Sequence, residues 1–509
     1  MEVRNFTRCA YLCPGEGKKT TARKHVMSII KRTFSLFLAM LLLTASLSCA
    51  KSEAISSEGA QETTPVETEP TVPAAYLPTK KYDGQTVKIL TSAEQWIRTY
   101  DADLTGDQLD DAVYKRNLAV EERFGVDLDY VVFNGYSAGM AATKEALTAT
   151  MVSGDMEYDL LAADGYYVGA YAFDNLILPL DNISVLDFTR EHYFTETTEN
   201  HRLYGNTYLV AGYWSVNSLR QLMTLFYNKS LGADLGIDSV YEDVNSGKWT
   251  WDRMTELAMS AVMDLDGDGK MTADDRFGLV STVVDTMGYF ATSMDFKYMT
   301  SQDGTLTLTL FNERLSDIND RVYNFINSNA VHNTTNDSSD GQTYLNIMLS
   351  SFATGNALFM LYRLDMTEQE TIRNMEDYGL LPLPKFNEEQ AQYYSAGGCD
   401  VGAIPAQVKD AEMSAILMDA LSAYGFSDVL PVYYDVVLSN KYARDQESRK
   451  MLDLICKGTF TDPILTYATY FDGGLYMTLG TTSNLASTYE KKYSAITAKL
   501  EKAQKSLQE

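Results

Sequence analysis

Histidine and cysteine are scarce in this 509-residue chain. There are four histidines, His25, His192, His201 and His332, and no two stand at the spacing of a helical zinc pair. Of five cysteines, Cys9, Cys13 and Cys49 lie near the N-terminus, and only Cys399 and Cys456 lie in the body. That excludes a Cys-rich metal site. It leaves two readings for the body, one disulfide or two buried thiols. Basic residues are outnumbered 42 to 69, a net charge of −27, and without residues 1–48 it becomes −33. Such a surface repels phosphate backbones and argues against nucleic-acid binding. No GxSxG elbow, phosphate loop or strand–GxGxxG–helix turn occurs, so no enzyme motif is present.

Apolar content is 45% and aromatic content 11%, enough for more than one folded domain at this length. The N-terminus reads as an address. Lys31-Arg32 precede an apolar run from Thr33 to Leu47, shorter than the roughly 20 residues of a membrane span. The order of charged, apolar and small residues is that of a secretory signal over 1–48, with Met27 as the start of a compact one. Ser46-Leu47-Ser48-Cys49 resembles a lipobox, with Ser46 where leucine is usual, and predicts lipidation of Cys49. Residues 49–77 are rich in Glu, Ser, Thr and Pro, and read as a flexible tether.

In the body, Thr86–Leu90, Val126–Val132 and Tyr158–Ala163 read as strands, separated by helices at 107–124 and 142–151. Strand and helix in alternation predict a parallel sheet, with ligands beyond the strands' carboxyl ends. Glu94, Trp96 and Arg98 follow the first strand, and Asp164 and Tyr166 follow the third. Trp214 lies beyond a strand at 204–210, Arg363 ends a strand at 357–361, and Asp400 opens one at 401–405. A pyranose offers apolar C–H faces to aromatic rings and hydroxyls to carboxylates and guanidinium groups. These eight residues are therefore the ligand-binding candidates. For Trp96 and Trp214, core packing is an equal reading. Trp249 and Trp251 read as packing a helix start capped by Thr250.

The acidic loop after that helix has calcium-loop spacing. Asp264, Asp266 and Asp268 take positions one, three and five, Gly269 takes six, Lys270 offers a backbone carbonyl at seven, and Asp275 takes twelve. Asp275 stands where glutamate is usual. The loop predicts structural Ca2+; the other reading is a solvated acidic turn.

Four of these pieces occur in order within about sixty residues: Tyr227-Asn228-Lys229, Trp249-Thr250-Trp251-Asp252, Asp266–Gly269 and Phe277-Gly278-Leu279. Together they resemble the sugar-type family 1 extracellular solute-binding proteins of ABC importers in Gram-positive bacteria. Gly379–Pro384 is similar to that family's Gly-x-x-Pro-x-Pro. The resemblance implies an α/β, two-lobed periplasmic-binding-protein-like fold of type II, with hinge strands between the lobes and a ligand cleft. It places lobe 1 at 78–220, lobe 2 at 221–396, a return to lobe 1 at 397–450, and C-terminal helices completing lobe 2 at 451–509, with the crossing near 220 as one hinge strand. It implies a monomeric, lipid-anchored, non-enzymatic sugar or oligosaccharide receptor on the outer face of the cytoplasmic membrane. Its partners would be ABC permease transmembrane subunits. Another solute such as a peptide or amino acid, a carbohydrate-active enzyme, and a surface adhesin are the alternatives.

Overall fold

The computed structural model describes residues 76–91, 99–133, 136–237, 240–282, 286–302, 304–375, 377–437, 446–471 and 473–508. The signal, Cys49, nearly all of the tether, and Glu94, Trp96 and Arg98 lie outside the described residues.

Fourteen strands are described: β1 (Gln85–Thr91), β2 (Val126–Val132), β3 (Leu160–Asp164), β4 (Val210–Ala211), β5 (Met223–Asn228), β6 (Phe277–Ser281), β7 (Met299–Gln302), β8 (Thr305–Leu308), β9 (Val331–Asn333), β10 (Ala357–Arg363), β11 (Tyr378–Leu381), β12 (Ser395–Ala396), β13 (Asp400–Ala403) and β14 (Thr459–Phe460). One five-stranded sheet has the order β2-β1-β3-β13-β4, and the other β11-β5-β10-β6-β9. Each is the centre of one lobe. In the first, β1, β2 and β3 are parallel, and β13 runs against β3 and β4. In the second, β10, β6 and β9 are parallel, and β5 runs against β10 and β11.

In each sheet the single reversed strand is the one that arrives from the other lobe. The chain leaves lobe 1 after β4 and enters lobe 2 as β5; it leaves lobe 2 after β11 and re-enters lobe 1 as β13. Both therefore start at the crossing and run away from it. The forward strands are antiparallel to them, so their carboxyl ends point back at the crossing. The register bears this out. Asp400, the first residue of β13, lies opposite Asp164, the last of β3, and Met223 of β5 lies opposite Arg363 of β10. Strand polarity thus gathers the ligand-facing ends of both sheets in one place.

The crossing is not one strand. Between β4 and β5 the chain forms a loop and a short helix, Asn217–Arg220. Ser215, Asn217 and Ser218 there all hydrogen-bond to Asp400, and a strand would turn alternate side chains away from it.

Lobe 1 packs Val87, Ile89, Leu160 and Ala162 against the helices Gln108–Phe124 and Ala411–Tyr424. The opposite sheet face, with Leu90, Leu161 and Ala163, joins a larger core that runs through lobe 2. Trp249 is fully buried, its indole N–H donating to Pro382 O at 2.9 Å, and Trp251 stands edge-on to Phe290 at 4.9 Å. Both pack the helix Trp251–Ala261, capped by Thr250 accepting from Arg253 N–H at 3.3 Å. The C-terminal stretch serves both lobes. Helices Pro463–Thr466 and Ala468–Phe471 pack on Gly165–Val168 of lobe 1, while Leu485–Gln508 packs on β8 and on Glu313–Ile326. Cys399 and Cys456 are free, buried thiols that burial pushes up to about 12.

Candidate functional site: the gathered strand ends

The site is built outward from the crossing. Asp400 is fully buried. Its carboxylate accepts from Ser215 Oγ at 2.7 Å, Asn217 Nδ2 at 3.1 Å and Gln221 Nε2 at 3.4 Å, and its backbone N–H donates to Ser218 Oγ at 3.0 Å. Ser215 Oγ also lies 3.0 Å from Thr99 Oγ1. Burial holds the Asp400 carboxyl above the usual carboxylate range, opposed by the hydroxyl and amide donors around it. Asp400 ties the outgoing crossing to the returning one. Its place is structural, behind the site, where sequence reading had it contact the ligand.

Trp214 also belongs to the core. It is 4% exposed, stands edge-on to Tyr100 at 6.1 Å, and with Met418 closes over Gly402, where a Cβ would meet Trp214 Cη2 at 3.3 Å. Of its two readings, the packed one holds: the strand-end position is right, but the ring turns inward. The buried Arg116 guanidinium donates to the carbonyl oxygens of Trp214 and Tyr100 and so fixes this corner.

Asp164 closes β3. Its Oδ1 accepts from Tyr166 N–H at 2.9 Å and starts the short helix Gly165–Val168. Tyr166, the more exposed ring at 37%, meets Tyr167 edge-on at 4.9 Å. From lobe 2, Arg363 ends β10 and pairs with Asp365 at 3.1 Å. Tyr166 and Arg363 thus reach the crossing with part of their surface open, while Asp164, 5% exposed, reaches it as the cap of the helix that carries Tyr166.

Three rings there were not singled out by the sequence. Residues 463–471 and 473–478 reach both lobes near the strand ends. At one end they touch Gly169, where a Cβ would lie 2.0 Å from Thr466 O; at the other they touch Gly288, where one would lie 2.4 Å from Tyr476 O. Only glycine permits either approach. This seats Tyr470 against Phe173 at 4.5 Å, and Tyr476 against Tyr289, beyond β6, at 5.6 Å. Tyr289, Tyr470 and Tyr476 are all partly exposed. A chain with 34 tyrosines gives no sequence signal for choosing these.

Asp462 roots this segment. It is buried, and accepts from Tyr298 N–H at 2.6 Å, Ile464 N–H at 2.9 Å and Met299 N–H at 3.1 Å. Burial outweighs those donors and pushes it up to about 7. The folded state then holds a proton that the unfolded state has lost above its ordinary value near 4. Stability supplied by Asp462 is full below about pH 4 and is lost as pH rises toward 7, by up to about 1.4 kcal/mol per pH unit. Urea melts of wild type and Asp462→Asn across that window check this: the wild-type advantage is expected to shrink steadily as pH rises.

The acidic loop lies away from the strand ends. Carboxylate oxygens of Asp264, Asp266 and Asp268 lie within 4.8 Å of one another. Gly267 and Gly269 take left-handed conformations, at φ 75° and 81°, and their N–H groups donate to Asp264 at 2.7 and 2.8 Å. Lys270 N–H donates to Asp268 at 2.8 Å. Asp275 does not join the cluster. It is buried, accepting from Leu265 N–H at 2.8 Å and Thr272 N–H at 2.7 Å, and closes the loop from behind. Three hard-oxygen carboxylates this close together fit a calcium ion's preference.

Comparison with solved structures decides the fold. A cyclo/maltodextrin-binding protein complexed with maltotetraose is similar at a TM-score of 0.52 and 14% identity, over 84% of this chain and 97% of that one. A sugar transporter protein of Rhizobium etli in an open conformation gives 0.52 at 12% identity, over 82% and 99%. The sugar-binding protein MalE of Xanthomonas citri gives 0.51 at 13% identity, over 83% and 97%. This chain has the two-lobed fold of the solute-binding proteins. No protein-family model and no curated protein matches its sequence. At these identities the likeness is one of backbone, and side chains at the crossing are this chain's own.

Proposed function

We propose that this chain is the extracellular substrate-binding component of an ABC importer, and that it captures a sugar or oligosaccharide between its lobes and delivers it to a membrane permease. The observation that carries this reading is that the strand ends of a two-lobed fold meet at the crossing and carry partly exposed tyrosines, Tyr166 and Tyr167 after β3, Tyr470 against Phe173, and Tyr289 after β6 with Tyr476 against it, with Asp164 ending β3 and Arg363 ending β10. Rings cover pyranose faces, and the carboxylate and guanidinium groups hold hydroxyls. Glu94, Trp96 and Arg98, following β1, complete the set we assign to the ligand. Asp400 and Trp214 support it from behind. Lipidation at Cys49, with the tether, would hold the receptor at the outer face of the membrane. The chain would catalyse nothing, so ligand would be recovered unchanged.

A thermal-shift panel on Lys51–Glu509, which retains every core side chain, tests the reading. A ligand that binds only the folded state raises its melting temperature. A selective rise with one glycan, recovered intact, is the expected result. Rises with peptides or amino acids alone would discard the sugar, and loss of the glycan on incubation would make the protein an enzyme.

We assign Ca2+ to the acidic loop, held by Asp264, Asp266, Asp268 and the Lys270 carbonyl, with a structural role. Calcium at a hundredfold excess over its Kd is expected to add about 2.7 kcal/mol of stability. The paired variant Asp266→Ala, Asp268→Ala is expected to lose that gain. An unchanged wild-type melt with added calcium would make the loop a solvated turn.

A further inference from the structure

The lobes are joined covalently where the chain crosses and packed together through the shared core and the C-terminal stretch, and a further contact between them lies nearer the surface. The hairpin of β7 and β8 belongs to the segment after β6 in lobe 2, yet its strands are in neither large sheet. It is rooted by Asp462, which accepts from Tyr298 N–H and Met299 N–H. From there it reaches the 195–206 segment of lobe 1, which Phe194 and Tyr193 hold to β4 and Gly212.

Three contacts make the bridge. Lys297 Nζ lies 2.6 Å from the Glu196 carboxylate, and Ser301 Oγ donates to Arg202 O at 3.1 Å. At the tip, Gly304 sits so close to lobe 1 that a Cβ there would lie 2.0 Å from Gly205 N. The lysine is held in place, its ammonium 4.4 Å from the centre of the Phe460 ring and 5.2 Å from that of Tyr394. Glu196 is 44% exposed, so the ion pair is open to solvent and to screening. Hinged lobes move about their crossings. A breakable attachment away from the crossings limits that motion for as long as it holds.

We propose that the β7–β8 hairpin is a salt-sensitive clasp between the lobes, closed by Lys297 and Glu196, which sets how often the lobes leave the arrangement seen here. This rests on the two-lobed fold and not on the identity of the ligand. The test is made without ligand, so its failure would leave the sugar reading standing.

Spin labels on Thr148→Cys in lobe 1 and Asp320→Cys in lobe 2, both exposed, report the distance between lobes in Lys51–Glu509 by double electron–electron resonance. Cys399 and Cys456 are buried, with thiols pushed up to about 12, and stay unlabelled. Lys297→Glu places two carboxylates together and is expected to shift the clasped-to-unclasped ratio roughly two- to five-fold, broadening the distribution. Exchanging the charges, Glu196→Lys with Lys297→Glu, is expected to restore the wild-type distribution, and raised salt to broaden that of the wild type. The clasp is overturned if Lys297→Glu leaves the distribution unchanged, or if the charge exchange fails to restore it.

Discussion

Replacing Asp400 with alanine is expected to cost roughly 4 kcal/mol of stability, since each orphaned buried donor costs about 1–3 kcal/mol. Asn217 Nδ2 and Gln221 Nε2 would lose this acceptor, and Ser215 Oγ would lose one partner while keeping Thr99 and the Asn217 N–H. Asp400→Asn keeps the shape and one acceptor, so about half that loss is expected. Urea melts of the three proteins check the order. Because Asp400 ties both crossings together, Asp400→Ala is also expected to widen the distribution of distances between lobes. A variant as stable as wild type would remove Asp400 from the hinge.

Tyr166→Ala is expected to behave differently. Tyr166 is 37% exposed, so part of its packing is lost and stability should fall by about 1–2 kcal/mol, well short of the loss at Asp400. Affinity for the glycan found in the panel is expected to fall by about thirty-fold or more, the effect of losing an interfacial ring worth about 2 kcal/mol. Titration calorimetry gives the comparison. Unchanged affinity would move the site away from the carboxyl end of β3. Comparing the two variants separates the frame of the site from its contact surface, which sequence position alone placed together.

That separation marks how far the sequence could be read. β2 falls at its predicted bounds because apolar and polar residues alternate along it. Thr250 caps its helix as expected because capping is local chemistry. The acidic loop was legible for the same reason, except for Asp275, whose turn inward toward Leu265 and Thr272 is a fact of loop closure. What spacing could not show was long-range. Ser215 and Asp400 meet across 185 positions, and their meeting turns a candidate ligand contact into a hinge residue. Trp214 lies at a strand end, yet packs over Gly402 because that residue has no side chain to exclude it. Tyr289, Tyr470 and Tyr476 reach the site through backbone approaches at Gly169 and Gly288, which no local pattern announces.

The central claim is that a sugar is held between two lobes that close on it. Small-angle scattering of Lys51–Glu509, with and without saturating glycan from the panel, tests it most directly. The account predicts a smaller radius of gyration in the saturated protein, as the lobes rotate inward about the crossings. Saturation with no change in the scattering profile would contradict it, and would place the glycan on an outer surface of the molecule.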